Sequence, residues 1–351
     1  MKKMISMFLA TAMIFTLSAC GGQASTSASS SAPTGPAAGG ESTAPIEITW
    51  SVHTSTGALE ATMQRFIQNL KDAVGEDRVV ETHYAAGTMG SEAELAQAVM
   101  MGDLTMTMPS VNQSLPNAGY PDWSAIPGIV TNMDDAHKYI LDIDSPLYSH
   151  LNEQLESAGA LILGQGMDNG FRCIATSKPC ETAKDLQHLK TRVANAWGAI
   201  ALYDGVGLQS TIIDSSEVMS ALQQGTIDAV ENGLVNLVNQ GYADLLDQVL
   251  LINFNYNWRN LICNKDWFNA LSEADQKAVM AAATEATEWA NKDMADQYNS
   301  ALNDPRWKVV NLSDEQYTAF KASAAKALEK AYEQCNPKDV DLVKEVTGLG
   351  A

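Results

Sequence analysis

The chain has 351 residues, 46% hydrophobic and 18% charged, with a formal net charge of −20. That length suffices for two domains with real cores. The acidic balance excludes electrostatic binding of nucleic acid or of an anionic membrane surface, so an anion site here has to be built locally, from buried arginine and oriented backbone N–H groups.

Taken in order, the chain opens with a targeting segment. Lys2 and Lys3 are followed by an apolar run, Met4 to Leu17, too short and wrongly flanked to span a membrane. The run ends Leu17-Ser18-Ala19-Cys20-Gly21, small residues before a cysteine, which resembles a lipoprotein signal. Residues 1–20 are therefore expected to be the signal segment, with lipid carried on Cys20 and the protein anchored outside the cytoplasm. Residues 21–45, nearly all Ser, Ala, Gly, Thr and Pro, cannot bury enough apolar surface to fold and read as a tether.

Ile46 to Val52 alternates apolar and polar residues, a first strand. Ala58 to Val74 places Met63, Phe66, Ile67 and Leu70 on one helical face. Val79 to Tyr84 is a second strand, Ser91 caps a helix from Glu92 to Met101, Gly102 ends it, and Leu104 to Met108 is a third strand. Helices are expected at Met133 to Ile140 and Pro146 to Ala158, and strands at Ala160 to Gly164 and Phe171 to Thr176. Lys190 to Val193 is a strand carrying Arg192, and Asn195 to Val206 a helix. Asp214, with Glu217 three residues on, has capping-box spacing ahead of Val218, Met219 and Leu222, and Gly225 stops that helix. Thr226 to Val230 is a strand, with Glu231 and Asn232 at its carboxyl end. Val249 to Phe254 and Arg259 to Asn264 read as two further strands. Ser272 to Asn303, free of Gly and Pro, predicts one helix of up to about 30 residues, near 45 Å long. Ser313, with Gln316 in a capping box, opens a last helix through Ala331, and Pro337 follows its end.

The unit from Ser91 to Met108 recurs from Ser215 to Asn232: a Ser-led helix, a Gly, then a short strand. It suggests two similar lobes, each presenting a strand end to a shared cleft, since ligands of open α/β sheets bind at the carboxyl ends of strands. Four cysteines follow Cys20, namely Cys173, Cys180, Cys263 and Cys335; buried free thiols and a Cys173–Cys180 bridge are both open. No zinc spacing, P-loop, nucleophile elbow, HExxH or convergent acid pair is present. Neither a metal, a cofactor nor an enzymatic reaction is therefore expected.

The ordered set Lys190-Thr191-Arg192-Val193, Ala221-Leu222-Gln223-Gln224-Gly225 and Asp228-Ala229-Val230-Glu231-Asn232, with Arg172 twenty residues before Arg192, resembles the solute-binding proteins of tripartite ATP-independent periplasmic (TRAP) transporters. Ile126-Pro127 and Asn264-Lys265-Asp266-Trp267 extend the likeness, which runs from about Ile46 to Tyr332. It implies a two-lobed, periplasmic-binding-protein-like α/β fold with a hinge and one long helix bracing both lobes. Residues 46–169 with about 258–297 would form the first lobe, and 170–257 with about 298–345 the second. The implied function is capture of a small organic carboxylate between the lobes and delivery to the membrane subunits of a TRAP permease. Binding for an ABC importer, sensing for a receptor kinase and an extracellular enzyme are the alternatives.

On that resemblance Arg192 pairs with the ligand carboxylate, as a planar guanidinium fork suits; the competing reading is a salt bridge to Glu231 or Glu217. Arg172 is a second donor or an orienting residue, Asn232 and Asn195 are hydrogen-bonding partners, and Glu217 stands behind them. His53 and Ser110, each following a strand, would close the cleft from the first lobe. Where some relatives carry an aromatic near the Glu-led helix this chain has Ser215; Trp197 would stack on a ligand or sit in the core.

Overall fold

The computed structural model describes residues 43–349 apart from 55–57, 113, 120–121 and 334. Cys20, the signal segment and nearly all of the tether lie outside the described residues. From Ile46 the chain builds a nine-stranded mixed sheet ordered β2-β1-β3-β8-β4-β7-β5-β6, with β9 added beside β8. The strands are β1 (Ile46–Trp50), β2 (Val79–His83), β3 (Met106–Thr107), β4 (Ala160–Thr176), β5 (Lys190–Val193), β6 (Gln209–Ile212), β7 (Ala229–Gly233), β8 (Gln248–Asn264) and β9 (Lys308–Asn311). Alternation puts Ile46, Ile48 and Trp50 of β1 into the core against Met63, Phe66, Ile67 and Leu70 of the helix Leu59–Val74.

Two strands organise everything else. β4 and β8 each run 17 residues and pair antiparallel. At one end β3, and through it β1 and β2, extend the sheet from Ile262 and Cys263 of β8. At the other end β7, β5 and β6 hang from Arg172–Thr176 of β4, and β9 from Gln248–Leu251 of β8. Each half therefore has its own strands, and only β4 and β8 cross between them.

The sequence predicts two separate strands within the span of β4 and two within that of β8, and the structure has one continuous strand in each. The intervening Gln165–Gly170 segment is rich in Gly, Asn and Asp, and the register slips in and just after it, between Leu163/Met167, Asp168/Phe171 and Phe171/Cys173. The helix Glu273–Leu302 supplies the hydrogen bonds that the ladder loses. Thr287 Oγ1 accepts from Gln165 N–H at 3.2 Å, Asn291 Oδ1 accepts from Asp168 N–H at 2.7 Å, and Asn291 Nδ2 donates to Gly166 O at 3.0 Å. In β8 the matching irregularity is Asn253, at φ 49, a left-handed conformation that Asn tolerates.

That helix is 30 residues long, as its composition predicts. Val279, Ala282, Ala283, Ala286 and Ala290 pack into the core of β1, while Ala301, at its far end, packs with Val218, Leu234 and Leu237. One rigid element thus touches both halves. Close approach requires Gly164 (φ +69), where a Cβ would lie 2.7 Å from Thr287 Oγ1 and 2.8 Å from Ala283 O.

Other elements depart from expectation in definable ways. The Met133–Ile140 helix starts as Met133–Ala136 and continues as a π-turn through His137–Leu141. Glu231 and Asn232 fall inside β7 rather than beyond it, and both are buried. Pro337, read as following the last helix, instead opens another, Pro337–Thr347, capped by Asn336; proline at a first helical position lacks only an N–H that the helix does not use. The helix Trp197–Gly205 packs so tightly that a Cβ on Gly198 would lie 1.7 Å from Ala125 O. Trp123, Leu147 and Leu151 consequently share a core with Leu202, Tyr203, Phe320 and Val343.

Candidate functional site

The parallel pairing of β5 with β7 sets Arg192 beside Val230, one residue before Glu231. Arg172 comes from β4, opposite Gly233 of β7. Three adjacent strands therefore bring two guanidinium groups and one carboxylate together in the sheet's interior, all nearly inaccessible to solvent. The carboxylate belongs to Arg172. Arg172 Nε pairs with Glu231 Oε1, and Nη2 donates to Oε2 at 2.7 Å and to the Glu231 carbonyl at 3.2 Å. Tyr203 Oη donates to the same carboxylate at 3.2 Å. Burial opposes the Arg172 charge, but Glu231 outweighs it and holds the pKa above the ordinary arginine value.

Arg192 is left without such a partner. Its Nε donates to Ile213 O at 2.9 Å and its Nη1 to Glu231 O at 3.4 Å, and no carboxylate among the described residues pairs with it. Burial, and then the neighbouring Arg172 charge, push its pKa below the ordinary value. Of the two acids that the sequence offers as partners, Glu231 is committed to Arg172, and Glu217 is exposed and absent from the cavity that Arg192 lines.

That cavity has a volume of about 1220 Å³, above the roughly 300–1,000 Å³ usual for a small-molecule pocket. Besides Arg192, it is lined by the sequence candidates Arg172, Asn232, Asn195 and His53, which come from both halves of the sheet. Asn232 is held by its own turn: Gly233 N–H donates to its Oδ1 at 2.8 Å, and its Nδ2 reaches Gln240 only at 3.5 Å. Asn195 is exposed at the edge. Ser110 does not line the cavity; it is fully buried and donates its hydroxyl to Asn257 Oδ1 at 3.0 Å. Ser215 lines the cavity, whereas Trp197 packs against the core. The four cysteines after Cys20 are buried, and Cys173, Cys180 and Cys263 are free thiols, with no Cys173–Cys180 bridge.

The sequence reading missed the opposite wall. Arg259, on β8, pairs through Nη1 with Glu92 Oε1 and donates to Met108 O at 3.1 Å. Glu92, in the first turn of the helix Glu92–Met101, also accepts Ser110 N–H at 3.1 Å and the Ser114 hydroxyl. These contacts, led by the Arg259 charge, overcome its burial and lower its pKa to about 2. His53 Nδ1 lies 3.3 Å from Glu92 Oε1, off the line of a hydrogen bond, and burial keeps the ring's pKa below that of an ordinary histidine. Asn169, also lining the cavity, is buried with no partner for its Nδ2. An Arg within the apolar run Trp258–Cys263 was the available signal for this wall; nothing local marks Glu92 as its partner.

A family model described as bacterial extracellular solute-binding protein, family 7 (DctP), matches residues 54–335. A solute-binding protein of Verminephrobacter eiseniae is 28% identical over 250 residues, 71% of this chain and 73% of that one. The 2,3-diketo-L-gulonate-binding periplasmic protein of Escherichia coli is 24% identical over 261 residues, 74% of this chain and 78% of that one. Among solved structures, a TRAP periplasmic solute-binding protein from a Sulfitobacter species, with β-D-galacturonate bound, superposes with a TM-score of 0.76 at 20% identity, covering 86% of this chain and 99% of that one. With a family model spanning most of the chain, and the long helix Glu273–Leu302 packed against both halves as the resemblance implied, this protein belongs to the DctP family of bacterial extracellular solute-binding proteins, those of TRAP transporters.

Proposed function

We propose that the protein captures a small organic carboxylate in the cleft lined by Arg192 and delivers it to the membrane subunits of a TRAP permease. One observation carries this reading: a buried guanidinium, fixed by two carbonyls and lacking an acidic partner among the described residues, faces a large cavity of mixed polar and apolar lining. A buried unpaired cation is costly, and a ligand carboxylate supplies the missing charge in a bidentate geometry. Arg172, already spent on Glu231, acts as an orienting residue that keeps that acid away from Arg192. Asn232 and Asn169 offer amide donors to the same ligand, with His53 and Asn195 at the margins. Glu217 and Ser110 are assigned no contact. The acids named for the Escherichia coli and Sulfitobacter relatives fit this chemistry.

The cavity is roomier than such a ligand needs, which supports an open state that closes on binding. The lobes are taken as 46–169 with about 258–297, and 170–257 with about 298–345. The hinge is the slipped span of β4 from Leu163 to Cys173, with Asn253 of β8 opposite its Phe171–Cys173 end. Ligand shifts the equilibrium by its differential affinity for the closed form. Cys20 would carry the lipid that tethers the protein outside the cytoplasm; no helix among the described residues is long and apolar enough to cross a membrane.

The test is a thermal-shift screen of mono- and dicarboxylates, keto acids and sugar acids on wild type and Arg192→Ala. A ligand at about 100 times its Kd adds about 2.7 kcal/mol to stability. Hits that survive unchanged in Arg192→Ala remove the assignment.

A further inference from the structure

Three arginines line the cleft, and two of them are neutralised by acids of the chain itself. We propose that Glu92 is a specificity-determining residue: by pairing with Arg259 it cancels the cation of the wall opposite Arg192 and restricts the cleft to ligands carrying a single carboxylate. The inference rests on the reading of Arg192 as the carboxylate anchor.

The charges around the cleft are few enough to follow one by one. Arg172 is matched by Glu231 behind the wall, and Arg259 by Glu92 within it. His53 stays neutral near neutral pH, because burial disfavours its charged form. The two other acids that line the cleft add no cation. Asp214, exposed, accepts from Ser216 N–H at 2.9 Å and from its hydroxyl at 2.7 Å. Asp168 accepts from Tyr256 Oη at 2.8 Å and Gly170 N–H at 2.7 Å. Among the described residues that line the cleft, Arg192 alone has a cation with no acidic partner. A second ligand carboxylate would enter a closing cleft facing Glu92, Asp168 and Asp214 with no free cation, and like charges brought together reject a ligand as effectively as contacts select one. What the far wall offers instead is hydrogen bonding, from the amide of Asn169, whose Nδ2 is unpartnered, and from Asn257. The ligand's far end is accordingly uncharged and polar.

Glu92 is well placed for this role. Arg259 and Glu92 side chains are only 11% and 15% exposed, so solvent screens the pair weakly. Ser110 N–H and the Ser114 hydroxyl hold the carboxylate on Arg259 and would hold a glutamine in its place.

The experiment is calorimetric titration of the purified protein with aldonates and the aldarates of the same stereochemistry, acids that differ only in whether the far carbon is a second carboxylate. Wild type should prefer the monoacid by at least about tenfold. Glu92→Gln, which frees the Arg259 charge, should shift the ratio toward the diacid by at least about tenfold. The double variant Glu92→Gln/Arg259→Gln, which removes both charges of the pair, should restore the wild-type preference and guards against a folding artefact in the single one. Equal or tighter binding of diacids by wild type, or an unchanged ratio in Glu92→Gln, overturns the inference; if Arg192→Ala still abolishes binding in that case, the anchor reading stands. Binding unaffected by Arg192→Ala overturns both.

Discussion

The two arginines beside β7 should respond to the same substitution in opposite ways. Arg192→Met removes a buried charge with no acidic partner, at the cost of hydrogen bonds to Ile213 O at 2.9 Å and Glu231 O at 3.4 Å. Each such bond is worth about 1 kcal/mol net, and loss of the desolvated charge offsets them. The unliganded protein should therefore stay within about 1 kcal/mol of wild type. Arg172→Met instead strands Glu231, fully buried, with only the Tyr203 hydroxyl, a broken buried pair that costs about 3–5 kcal/mol. At about 2–4 °C per kcal/mol, Arg172→Met should melt roughly 10 °C below wild type while Arg192→Met barely moves. Binding should show the reverse emphasis. Loss of the Arg192 charge should weaken carboxylate binding by about 2–5 kcal/mol, on the order of 30- to 5,000-fold in Kd, with the fold intact. Differential scanning calorimetry without ligand and titration calorimetry with it give both numbers. Equal destabilisation by the two variants would refute the reasoning, since it would mean that Arg192 is a structural charge like Arg172.

Three further outcomes follow from the same structure. Acid stability should depend on Glu92: its folded pKa, about 2, lies below the ordinary glutamate value of 4.5, so its contribution is complete above about pH 5 and is lost as pH falls toward 2. Glu92→Gln should flatten that limb of a pH–Tm profile, by about 3 kcal/mol at most, and an unchanged limb would contradict it. Gly164→Ala should cost more than about 1 kcal/mol, because the site combines φ +69 with a Cβ 2.8 Å from Ala283 O; a neutral melting temperature would show that the brace is not seated as described. Asn291→Ala removes the bonds to Asp168 N–H and Gly166 O and should accelerate amide exchange across residues 165–170, with little change in β1; uniform exchange would show that this segment is not held from the long helix.

What the sequence made legible was local. The helix Glu273–Leu302 announced itself by composition, Glu92–Met101 by its Ser91 cap and β1 by strict alternation. Arg192 stood out through a motif whose parts are close in the chain. The partners were another matter. Arg172 and Glu231 are 59 residues apart and Arg259 and Glu92 are 167 apart, so the choice of which acid meets which base is made by the sheet order, which no local pattern encodes. The continuity of β4 was hidden for a related reason. Gln165–Gly170 has a turn's composition, and pairing with β8 together with Thr287 and Asn291, all about 90 or more residues on, keeps it extended. Pro337 misled because proline stops a helix and starts one with equal ease, and only the Asn336 cap tells which.

The most direct test of the central claim is a crystal structure of the protein with a monocarboxylate found by the screen. The account predicts the carboxylate oxygens within about 3 Å of the Arg192 guanidinium nitrogens, with Arg172 still on Glu231 and Arg259 still on Glu92. A carboxylate bound elsewhere in the cleft, or Arg192 turned onto an acid of the chain itself, would contradict it.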